Sequence, residues 1–94
     1  MVHQILQSLG GSADAVADTL RREGVRGVRN TVRFLNPIVC FVQRQVTAKD
    51  VDVMQGDRLR ITNADGTMEE AILPGTVVDF LRAFNQGAYP DLES

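Results

Sequence analysis

The side chains best suited to chemistry in this sequence are few and scattered. There is one histidine, His3, and one cysteine, Cys40. A structural zinc site needs four ligands, and neither an HxxxH nor a CxxC spacing occurs. A cysteine nucleophile needs an imidazole beside its thiol. Cys40 instead lies inside the apolar run Ile38-Val39-Cys40-Phe41-Val42, where cysteine packs as a small hydrophobe. Carboxylates are plentiful, with Asp50 beside Asp52 and Glu69 next to Glu70. Acid–base work requires a pocket that drives two such groups apart in pKa. Here they read as a solvated strand face. The Asp50–Asp57 region lacks the ligand spacing of an EF-hand loop. Ser8, Ser12 and Ser94 carry no nucleophile signature. These residues predict no catalytic group, no metal site and no cofactor.

The stronger pattern is basic. Residues 21–44 hold Arg21, Arg22, Arg26, Arg29, Arg33 and Arg44 against Glu23 alone, a net charge of +5. Residues 1–20 carry -2 and residues 45–94 carry -5, so a basic middle is hidden inside a chain of net charge -2. Arginine presents a planar fork of donors that matches carboxylate and phosphate. Gly24-Val25-Arg26-Gly27 is also a GxxG, the form that KH domains use to clamp a nucleic-acid backbone. Arg21, Arg22, Arg26, Arg29 and Arg33 are therefore the candidate residues for binding nucleic acid or a phosphate ligand. Against this, no strand precedes the first helix and the rest of the chain is acidic. The structural alternative makes Gly24 a helix C-cap and Gly27 a tight turn. A helix-turn-helix over residues 12–46 is disfavoured, because the connector 24–36 far exceeds the usual turn of about 3–4 residues.

Apolar residues supply the second candidate surface. Val25, Val28, Val32 and Phe34 stand outside the main helical and strand stripes. Leftover apolar area marks a protein partner or a homodimer seam. The alternative packs Val28, Val32 and Leu35 into the core.

These groups must be positioned by few elements. Ninety-four residues make one small domain, which buries roughly 60–65% of its unfolded surface in a single core. That size excludes multidomain enzymes, TIM barrels and full dinucleotide folds. With 44% hydrophobic and 23% charged residues, composition excludes collagen, disorder and coiled coil. One cysteine excludes an internal disulfide and favours a reducing interior. No run of about 18 apolar residues predicts a membrane helix, and Met1-Val2-His3-Gln4-Ile5-Leu6 lacks a basic leader. A cytoplasmic location without membrane association is the expectation.

Helical spacing of Val2, Ile5, Leu6 and Leu9 predicts a helix over 2–9. Ser12 as N-cap and the stripe Ala13, Val16, Ala17, Leu20 predict a helix over 13–23, stopped at Gly24. Residues 24–36 form a connector in which 30–35 hold one helical turn or stay irregular. Asn36-Pro37 is a cap followed by a first-turn proline, which favours a helix over 37–46 in spite of β-branched residues. Alternation at Val51, Val53, Leu59 and Ile61, with a turn at Asn63-Ala64-Asp65-Gly66-Thr67, predicts a three-stranded antiparallel meander with one apolar and one polar face. Arg58 and Arg60 are expected to face Asp50, Asp52, Glu69 or Glu70. Thr76 and Asp79 resemble a capping box for a helix carrying Val77, Phe80, Leu81 and Phe84, after which Tyr89 and Leu92 dock back on the body. The fold class is α+β: residues 1–46 mainly helical, 47–74 the meander, and 75–94 a helix packed on the sheet plus a docking tail.

Certain residues resemble a group of small uncharacterised bacterial proteins of actinobacterial type. They are Ala13-Asp14-Ala15-Val16-Ala17, Gly24-Val25-Arg26-Gly27, Pro37-Ile38, Phe41-Val42 and Leu73-Pro74. Phe80, Phe84-Asn85, Gly87 and Tyr89-Pro90-Asp91-Leu92 continue the pattern, so the resemblance spans nearly the whole chain. That group often has a cysteine where this chain has Asn36. The resemblance implies the same fold and a bacterial cytoplasmic setting, and it implies no activity. With no catalytic constellation, the residues point to a protein-interaction module, acting as a homodimer or a docking subunit. Nucleic-acid or phosphate binding through residues 21–33 is the rival.

Overall fold

A computed structural model describes residues 2–31, 33 and 35–94, with side chains from Gln4 onward. The side chain of His3, and Val32 and Phe34 of the candidate apolar surface, lie outside the described residues. Four helices and three strands follow in the order α1 (Val2–Gln7), α2 (Ala13–Arg22), α3 (Pro37–Gln45), β1 (Asp50–Met54), β2 (Arg58–Thr62), β3 (Met68–Ile72) and α4 (Gly75–Asn85). A 3-10 turn, Pro90–Leu92, closes the chain.

Local chemistry accounts for most boundaries. The Ser12 hydroxyl accepts from the Ala15 N–H at 3.1 Å and starts α2, and Asp14 and the pair Arg21 and Arg22 complement the helix dipole at its two ends. At the other end, Val25 N–H donates to Leu20 C=O and Gly24 N–H to Arg21 C=O. This double bond pattern needs a left-handed residue at Gly24, which has φ +67°. The Asn36 side chain accepts from Ile38 and Val39 N–H groups, so Pro37 enters α3 where no N–H is required. The helical alternative for 37–46 thus prevails over strand propensity.

One contiguous core joins Leu6, Leu9, Val16, Leu20, Ile38, Val42, Val51, Leu59, Val77, Phe80 and Phe84. The sheet order is β1-β2-β3, antiparallel throughout, with Val51 opposite Ile61 and Val53 opposite Leu59 on the core side. Helix α3 packs against β1, and the C-terminal helix α4 packs on the sheet and runs beside α2. Phe80 stacks on Phe84 at 5.7 Å between ring centroids.

Two local expectations are corrected. The capping box at α4 does not form: Pro74 is the cap residue, and Thr76 Oγ1 donates instead to the Gly10 carbonyl at 3.0 Å. Helix α1 stops at Gln7, although Leu9 is still buried. Of the two alternatives for 30–35, the irregular one holds among the described residues: no helix forms in 24–36, and the backbone turns on Val28 N–H to Leu35 C=O.

Candidate functional site

The arginine segment and the chain terminus are one structural unit. Gly27 is buried, and a Cβ there would lie 2.5 Å from Pro37 Cδ and 2.7 Å from the Leu35 carbonyl. Only glycine allows that approach. Its N–H donates to Leu92 C=O, and its C=O accepts from Ser94 N–H, each at 2.9 Å. The two glycines of the GxxG therefore both have structural tasks, one as a helix stop and one as a close crossing.

The arginines gather around this seam. Arg21 donates to both Asp91 and Asp18. Arg29 Nε lies 3.0 Å from Glu93. The Arg21 hydrogen bond holds the Asp91 carboxyl below the usual carboxylate range, with the Arg26 charge adding to it, and Asp91 in turn raises the Arg21 guanidinium. Arg22 turns back to Thr19 at 3.1 Å. Arg33 lies apart from the others, on Asp50 of β1. So Arg21 and Arg26 come together beside Asp91, Arg29 sits on Glu93 of the same terminal segment, and Arg22 and Arg33 point elsewhere. Tyr89 anchors the seam: its ring stacks on Phe80 at 5.2 Å and its hydroxyl donates to Asp14 at 2.8 Å. Burial first, and the Asp14 bond second, push its phenol up.

The apolar candidates divide. Val25 is 1% exposed and belongs to the core, because the turn at Gly24 folds it back over Leu20; it offers no surface. Val28 is half-buried. Leu35, considered as core, is 43% exposed.

The surface that sequence reasoning missed is on the sheet. Its outer face carries three cross-strand rows: Asp50–Thr62–Met68, Asp52–Arg60–Glu70 and Met54–Arg58–Ile72. Arg60 bonds Asp52 at 3.0 Å, and Arg58 stands 3.9 Å from Glu70. Met68 and Ile72 are 63% and 69% exposed. The expectation of one apolar and one polar face fails in β3. There the core side holds Glu69 and Ala71, while the outer side holds Met68, Glu70 and Ile72. The signal was present in Met68-Glu69-Glu70-Ala71-Ile72, where the apolar ends share a phase opposite to that of Leu73.

The backbone of β3 is open as well. Asn63 N–H donates to Thr67 C=O at 2.7 Å, and Leu73 N–H donates to Asp57 C=O at 2.8 Å. Antiparallel pairing alternates, so residues 69, 71 and 73 turn their amides to β2, while the Thr67 N–H donates to Asp65 Oδ1 in the turn. Met68, Glu70 and Ile72 turn theirs outward, on the side of the sheet where no further strand follows among the described residues.

Two other features complete the inventory. A cavity of about 220 Å³ lies between Val53 of β1, Gly56 of the β1–β2 turn, and Val78, Leu81, Arg82 and Asn85 of α4. Cys40 is half-buried, and burial pushes its thiol up, away from the nucleophilic thiolate. Among the described residues no three His, Cys, Asp or Glu side chains gather closely enough to hold a metal, and no helix is long and apolar enough to cross a membrane. The chain matches no family model, no curated protein and no solved structure.

Proposed function

We propose that this protein is a protein-interaction module that binds through the β3 side of its sheet. One observation carries the reading: among the described residues Met68 and Ile72 are the most exposed large apolar side chains, and they lie on one face of an edge strand, on either side of Glu70. Water contact at two such side chains is unfavourable, and a partner would remove it. An open edge adds unpaired backbone groups to the attraction.

The rival reading, phosphate or nucleic-acid binding through Arg21, Arg22, Arg26, Arg29 and Arg33, has less support. Arg21, Arg29 and Arg33 already face carboxylates of their own chain, which a phosphate ligand would have to displace. The test is affinity capture with the native protein beside a Met68→Lys/Ile72→Lys double variant. The expected result is a partner held by the first and lost by the second. A partner held equally by both overturns the assignment of the surface. Salt-sensitive binding to RNA or DNA, lost in an Arg26→Ala/Arg29→Ala variant, would favour the rival.

A further inference from the structure

Resting on that surface, we propose that β3 accepts an extended partner segment as a fourth strand, with a basic residue opposite Glu70 and apolar residues opposite Met68 and Ile72. An added strand lies about 4.7–4.9 Å away and prolongs each cross-strand row by one position. The central row runs Asp52–Arg60–Glu70, alternating negative, positive, negative. A lysine or arginine in the next place continues the alternation, and opposite charges directly across a pair are favourable while like charges are not. The flanking rows end in Met68 and Ile72, whose exposed side chains call for apolar neighbours. The outward amides and carbonyls of Met68, Glu70 and Ile72 supply the main-chain bonds of strand addition. The partner motif is therefore apolar–any–basic–any–apolar in extended conformation.

The same residues argue against a second copy of this chain. A two-fold antiparallel pairing of β3 with itself would set Met68 against Ile72 favourably. It would also set Glu70 directly against the other Glu70, with Glu69 carboxylates crowding the opposite face. Charges on an edge strand are a known guard against self-pairing, and here the guard doubles as a selector for a basic partner.

The test uses the whole protein and two capped heptapeptides. One is Thr-Val-Thr-Arg-Thr-Val-Thr, and the other has glutamate in place of its arginine. Amide hydrogen exchange is read residue by residue. At saturating arginine peptide, exchange at Met68, Glu70 and Ile72 should slow by about tenfold or more. The glutamate peptide should leave those amides unchanged, and Glu70→Lys should reverse the preference. Equal slowing with both peptides overturns the charge selection. Slowing that depends only on protein concentration, with no peptide present, replaces the peptide by a second copy and overturns the proposal. No slowing at these amides, while Met68→Lys/Ile72→Lys still abolishes capture, keeps the surface and rejects strand addition. No slowing, with capture unaffected by that variant, rejects both.

Discussion

β1 and β3 are the two outer strands of one sheet, each paired antiparallel with β2. In β1, Val51, Asp52 and Val53 are 0%, 9% and 5% exposed. In β3 only Ala71 is even half-buried. The difference lies in what packs on each. Helix α3 packs against β1, and Arg33 from the preceding connector reaches Asp50 on its outer face. β3 touches chiefly β2 and the short α1. A strand is closed or open by its tertiary neighbours, and the open one is free to recruit a neighbour from outside.

The largest expected contrast comes from placing one lysine on each strand. Val51→Lys buries an unpaired charge and should cost about 3–5 kcal/mol. Ile72→Lys should stay within about 0.5 kcal/mol of the native protein. Urea midpoints at unchanged slope measure both. Comparable losses would mean that β3 is closed in solution. A smaller contrast uses the two acids of the central row. Asp52→Ala strips a buried partner from Arg60 and should cost about 1–3 kcal/mol, whereas Glu70→Ala, at an exposed site, should change stability by less than about 0.5 kcal/mol.

The seam between Gly27 and the C-terminal residues lies between these extremes, since titratable groups hold it shut. The Asp91 carboxyl is lowered, so its contribution is present above the ordinary carboxylate pKa of about 3.9 and is lost as pH falls through the lowered value. The Tyr89 phenol is raised, so its contribution is present below about pH 10 and is lost as pH rises through the raised value. Tyr89 is the only tyrosine and the chain has no tryptophan, so its near-ultraviolet signal reports on the seam alone. That signal should change below about pH 4 and above about pH 10, while amides of the β1–β2 pair stay protected on the acid side. Arg21→Ala should move the acid change to higher pH, because Asp91 returns toward its ordinary range. A signal flat through acid would show that Asp91 does not hold the tail.

Much of this architecture was legible before the fold was known. Ser12, Gly24 and Asn36-Pro37 mark helix ends because capping involves residues within a few positions of each other. The meander was legible because the β-turn and the alternation are equally local. The arginines misled for the opposite reason. Arg21 and Asp91 are separated by 70 positions, and no local pattern announces that a basic step will be matched by its own terminus. Val25 looked like surface because no stripe claims it, yet the helix stop turns it into the core.

The amino-acid sequence alone determined the succession of helices and strands, most of their ends, and which side chains share a strand face. These follow from backbone preferences and from periods of 3.6 and 2. The tertiary structure alone decided which strand face the helices cover and which carboxylates the arginines meet. A period-two pattern sorts residues into two sets without saying which set will be buried. That choice depends on where α1, α3 and α4 come to rest, and with Leu59 and Ile61 sealed beneath them, Met68 and Ile72 were left in water.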